Sequence, residues 1–67
     1  AETYDNLPLK EAIRRLPRDL RAVIILRYFQ GLTLAETAEA LEIPTGTVST
    51  RQRKALSLLK LELSEEA

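Results

Sequence analysis

The chain has 67 residues, enough for a single domain, and a domain this small buries only about 60% of the surface that its unfolded form exposes. It has no Cys and no His, so disulfides, thiolate or imidazole metal sites and the commonest general base are excluded. Formal net charge is zero, yet the charges are segregated: from Thr45 to Lys60 they are Arg51, Arg53, Lys54 and Lys60, with acids just before (Glu36, Glu39, Glu42) and just after (Glu62, Glu65, Glu66). A neutral chain with one basic segment can still present a local positive face.

No apolar run approaches membrane-spanning length and no signal-peptide pattern opens the chain, so a cytoplasmic location without a membrane partner is expected. With no Met before Ala1, the chain is expected to begin inside a longer protein. Residues 1–5 read as a linker or tail. Asp5 or Asn6 is placed to cap a first helix, with Pro8 tolerated in the first turn, where backbone N–H groups lack partners. Leu9, Ala12, Ile13 and Leu16 share one face of that helix, while Arg14 and Arg15 point away. Pro17 disfavours helical geometry at Leu16 and breaks the chain there.

The spacing predicts a second helix from about Arg18 to Phe29. Leu20, Ala22, Val23, Ile24, Ile25, Leu26, Tyr28 and Phe29 ring most of its circumference, which suits the central helix of a bundle or a helix with one side kept for a partner. Gly31 supplies a left-handed residue to end it. Thr33 and Glu36 then form a capping box for a short third helix with Leu34, Ala38 and Leu41 inward and Glu36 and Glu39 in water. Those two carboxylates read as solubilising groups. Pro44 stops this helix, and a fourth starts at Pro44 or Thr45 and runs to about Leu61, with residues 62–67 as an acidic tail. Val48, Ala55, Leu56, Leu59 and Leu63 make its apolar stripe, interrupted by Gln52. The expected fold is all-α: a small four-helix domain over residues 6–61 with a C-terminal helix-turn-helix, akin to the winged-helix DNA-binding superfold without a wing.

Residues 31–54 carry the functional signal. Two helices that cross closely need a small residue in the first and apolar anchors either side of the turn; Ala38, Leu41, Ile43 and Val48 supply them. Advancing about 100° per residue from Val48, the opposite side carries Gly46, Thr50, Arg53 and Ser57, flanked by Ser49 and Lys54, with Thr47 and Arg51 nearer the edges. Hydroxyls and cations without an acid suit a helix in the major groove, where Arg forks onto guanine and hydroxyls bond bases or phosphates. The start of this helix, around Thr45, Gly46 and Thr47, also offers free N–H groups to a phosphate. No nucleophile, metal set or phosphate loop is present, so no enzyme activity, cofactor or metal is expected.

The run from Leu16 to Leu56 resembles region 4 of extracytoplasmic-function sigma factors. Leu16-Pro17, Leu26-Arg27-Tyr28, Gly31-Leu32-Thr33, Ile43-Pro44, Gly46-Thr47-Val48 and Arg51 match that family's pattern in order and spacing. The resemblance covers about residues 7–60. It implies a domain that binds the minus-35 promoter element while attached to RNA polymerase core and so directs transcription initiation. Base reading would fall to Ser49, Thr50 and Arg53, and backbone contacts to Thr47, Arg51 and Lys54. The second helix would face the flap of the polymerase beta subunit or an anti-sigma factor. Three features depart from the family: Glu42 stands where its turn often has Gly, Gln52 where an apolar residue is usual, and the final helix is leucine-rich (Leu56, Leu58, Leu59, Leu61) where the family is densely basic.

Two other readings fit part of the pattern. The effector domain of a four-helix response regulator also has a Gly turn and Thr-Val, but Lys-x-His typically follows, whereas here Ser49-Thr50-Arg51 does. A protein-interaction module that has lost DNA binding would suit the neutral charge and leucine-rich last helix, with polymerase or an anti-sigma factor as partner.

Overall fold

In the computed structural model the described residues are 7–66; the expected tail at residues 1–5, the cap at Asp5 or Asn6, and Ala67 lie outside them. Four helices follow in order, and the described residues contain no strand. Helix α1 is Leu7–Arg14. Its chain ends in a tight turn, Leu16 N–H donating to the Ile13 carbonyl at 3.1 Å, and Pro17 takes an extended conformation (φ −54°, ψ 152°) before α2, Arg18–Ile24. The break expected before Pro17 is present.

Helix α2 does not end at Ile24. It widens into a π-helical turn, Ile25–Phe29, in which Gln30 N–H reaches back five residues to the Ile25 carbonyl at 2.9 Å. This widening is absent from the sequence expectation, which drew one regular helix to Phe29. Gly31, at φ 75°, turns the chain away. Only a residue without Cβ adopts that conformation freely. Helix α3, Leu34–Leu41, starts with both halves of the capping box: Glu36 N–H donates to Thr33 Oγ1 at 3.0 Å, and Thr33 N–H donates to Glu36 Oε1 at 2.9 Å. Helix α4 is Thr45–Glu66, 22 residues. At about 1.5 Å per residue it runs the 35 Å length of the molecule.

The core has two compartments, and α4 belongs to both. Val23 of α2, Ala38 of α3 and Val48 of α4 form one, closed by the partly buried Leu34, Leu41 and Ile43. Ala12, Ile13, Leu16, Leu20, Ile24, Ala55 and Leu59 form the other, with Leu9 and Leu63 packed against it. The first half of α4 is therefore held by α3 and the second half by α1, with α2 bridging. A fully buried Val such as Val48, at 0% exposure, contributes on the order of 2 kcal/mol.

Three expectations are corrected by this packing. Helix α4 passes Leu61 and continues through Glu66, because no Gly or Pro follows Gly46 and Leu63 packs on the core. Arg15 and Glu62 also form an ion pair that ties the second half of α4 to the end of α1. Leu56, placed in the inner stripe by periodicity, is 41% exposed. It lies about 80° round the helix from Val48, at the edge of the buried face. The second helix is not enclosed all round either. Leu20, Val23 and Ile24 are buried, whereas Tyr28 and Phe29 are 51% and 55% exposed. One of its apolar sides faces out.

Candidate nucleic-acid interface

The turn between α3 and α4 sets the geometry of the site. Helix α3 closes with Ile43 N–H donating to the Ala38 carbonyl at 3.0 Å and Glu42 N–H donating to the Glu39 carbonyl at 3.2 Å. This double closure requires a left-handed residue between them, and Glu42 provides it at φ 59°, ψ 46°. Ile43 then folds back onto the Val23–Ala38–Val48 compartment. Pro44 starts the next helix by accepting from Thr47 N–H at 3.0 Å and Val48 N–H at 3.2 Å. Ala38, Leu41, Ile43 and Val48 thus meet at the crossing of α3 and α4, as their spacing predicted.

Burying Val48 turns the opposite side of α4 outward. Thr50, Arg53, Lys54 and Ser57 are exposed, as are Thr45 and Gly46 at the helix start. A side chain added at Gly46 would meet open space, which places this position on the outer surface too. Thr47, Ser49 and Arg51 are half-buried at the edges of the same face. All six residues singled out from the sequence, Thr47, Ser49, Thr50, Arg51, Arg53 and Lys54, therefore belong to one turn-and-a-half of helix with its polar groups outward or at the rim. An open groove lined by Pro17, Asp19, Pro44, Thr47, Thr50, Arg51 and Lys54 runs beside it.

Two features of this region were not read from the sequence. The Arg51 guanidinium is not purely an outward cation: its Nε lies 3.8 Å from an Asp19 carboxylate oxygen at the start of α2. Such a part-exposed pair contributes little stability, but it biases where the side chain points. Gln52, which interrupts the stripe, accepts at Oε1 from Arg27 Nε at 2.8 Å, and Arg27 Nη1 donates to the Leu32 carbonyl at 2.6 Å. The available signal was positional. Arg27 stands one turn after Val23 and Gln52 one turn after Val48, so both fall on inner faces where a lone polar group would need a partner.

A second surface lies across the molecule from the outer side of α4. Tyr28, Phe29 and Leu56 rim an apolar groove floored by Leu9, Ile13, Ile24 and Leu59. Next to it, Ile13, Ile25 and Phe29 are flanked by Lys10, Arg14 and Arg21. Exposed aromatic groups grouped in this way mark interaction surfaces. Among the described residues no helix is long and apolar enough to cross a membrane.

A crossing of two helices through small and apolar anchors, with the second helix presenting hydroxyls and cations, defines a helix-turn-helix domain. The chain belongs to the family described as Sigma-70, region 4, whose sequence model matches residues 12–61. It is 41% identical over 63 residues to the RNA polymerase sigma factor SigV of Bacillus subtilis, covering 94% of this chain and 38% of that protein. It is 39% identical over 57 residues to the ECF RNA polymerase sigma factor SigW of the same organism, covering 85% and 30%. Against the ECF RNA polymerase sigma factor BldN of Streptomyces coelicolor the identity is 35% over 66 residues, covering 98% and 25%. The family resemblance read from the motifs is thereby borne out. The chain spans between 25% and 38% of the length of these relatives.

Proposed function

We propose that this chain is the promoter-reading region 4 of an extracytoplasmic-function sigma factor, which binds the minus-35 element from the major groove while RNA polymerase core holds it in place. The observation that carries this reading is the outer face of α4. With Val48 wholly buried, Thr50, Arg53 and Lys54 stand in solvent on a surface without an acid. Ser49, Thr50 and Arg53 read base edges; Thr47, Arg51 and Lys54 contact phosphates together with the N–H groups at the helix start. The role is recognition and carries no catalysis.

The zero net charge makes for weak free binding, so specificity is realised when polymerase tethers the domain beside other promoter contacts. The apolar groove at Tyr28, Phe29 and Leu56 suits that tether, received by the flap of the polymerase beta subunit, and an anti-sigma factor competes for it. Such a protein works in the cytoplasm. The test is fluorescence anisotropy of the Arg53→Ala/Lys54→Ala chain on promoter duplex between 50 and 200 mM salt. Binding is expected to weaken, and the log–log salt slope to fall by about 1.8, at roughly 0.9 per cation removed. Unchanged affinity and slope would overturn the proposal.

A further inference from the structure

Two polar side chains occupy inner-face positions, and they satisfy each other. Arg27, in the π-helical turn after α2, and Gln52, in the middle of α4, are both half-buried. The planar guanidinium is held along one edge by two acceptors from different parts of the chain: Gln52 Oε1 at 2.8 Å and the Leu32 carbonyl in the loop before α3 at 2.6 Å. Charge-assisted bonds of this length are the strong ones, and a rigid fork tolerates little displacement of either acceptor.

The geometry turns this pair into a gauge of helix rotation. At a side-chain radius of about 6 Å, a turn of α4 by about 20° about its own axis moves Gln52 Oε1 by about 2 Å, which breaks the bond. The same turn swings Thr50 and Arg53, on the far side of the helix, by a similar distance. Base-edge hydrogen bonds do not survive that shift. The packing at Val48 resists separation of the helices, but smooth apolar contacts are non-directional and resist rotation less. We propose that Arg27 and Gln52 are positioning residues that fix the rotation of α4 and thereby its selectivity among DNA sequences. This rests on the DNA-reading function proposed above.

The experiment compares the whole chain with its Gln52→Leu, Gln52→Glu and Arg27→Lys variants. A duplex selected by the wild-type chain from a randomised pool at low salt is the specific probe, and a scrambled duplex of equal length is the non-specific one. The readout is the ratio of the two dissociation constants, with folding followed by circular dichroism. Gln52→Leu keeps the apolar stripe but removes the acceptor; its ratio is expected to fall about five- to tenfold with the salt slope unchanged. Arg27→Lys, which keeps the charge without the fork, is expected to fall similarly. Gln52→Glu keeps an acceptor and is expected to hold the ratio within about twofold, although its added charge weakens both complexes. A purely structural role would weaken both complexes equally and leave the ratio alone. An unchanged ratio in Gln52→Leu, or an equal fall in Gln52→Glu, overturns the pair's role. A wild-type chain that selects no duplex overturns the DNA-reading function, and the pair's role with it.

Discussion

Replacing Glu42 with glycine is expected to stabilise the domain without touching the outer face of α4. Glu42 is the non-glycine residue with positive φ among the described residues, at φ 59°, and its side chain is exposed. A left-handed conformation costs an L-residue roughly 1–2 kcal/mol, while glycine's extra freedom in the unfolded chain takes back about 0.5–1 kcal/mol. The net gain is about 0.5–1 kcal/mol, or about 3–6 °C in Tm for a domain of this size. Glu42 also places a negative charge at the C-terminal end of α3, where the helix dipole disfavours it by a few tenths of a kcal/mol. Glu42→Ala separates the two effects, since it removes the charge but keeps the Cβ. Thermal and urea unfolding followed at 222 nm should rank the chains Gly above Ala, with Ala close to wild type. If alanine stabilises as much as glycine, backbone strain at this turn is not the cause. If glycine lowers Tm, the left-handed closure of α3 is wrong.

The other stability tests concern single polar groups, and one concerns the outward apolar face. Thr37 is fully buried and its Oγ1 has no hydrogen-bond partner among the described residues, so Thr37→Val should raise stability by about 1 kcal/mol in urea melts. A loss there would mean that the hydroxyl is satisfied. Thr33→Ala removes the side-chain half of the α3 cap and should cost about 1 kcal/mol by the same assay; no change would show the cap to be idle. Phe29→Ala, at a half-exposed ring, should shift stability by less than about 0.5 kcal/mol. In a pull-down with polymerase core it should weaken retention several-fold, and full retention would remove Phe29 from that contact.

What could be read from the sequence was whatever the chain states locally. Pro17, Gly31, the Thr33–Glu36 box and Pro44 are punctuation whose effect depends on a few neighbouring residues, and each break falls where it was expected. The crossing through Ala38, Leu41, Ile43 and Val48 was also legible, because four apolar side chains at that spacing have one way to meet. Periodicity failed where a residue's fate depends on a distant element. Leu56 sits at the edge of the buried face, and whether it is covered depends on how far Phe29 reaches, which α4 alone does not state. Thr37 lies on the inner stripe between Leu34 and Leu41, but its hydroxyl disguised it as a surface residue. Arg27 and Gln52 each look out of place until the other is present, 25 residues away. The π-helical turn leaves no local mark, since Ile25–Phe29 has the composition of any helix end.

Because α4 keeps Val48, Ala55 and Leu59 on one side and Thr50, Arg53 and Ser57 on the other, folding and recognition draw on separate sets of residues within one helix. Substitutions on the solvent side leave the hydrophobic compartments intact, typically within about 0.5 kcal/mol. A lineage can therefore retarget such a domain to a new operator sequence by exchanging three or four letters, without first acquiring compensating changes elsewhere. Divergence of regulatory networks would then be limited by selection on the target sites rather than by the durability of the scaffold.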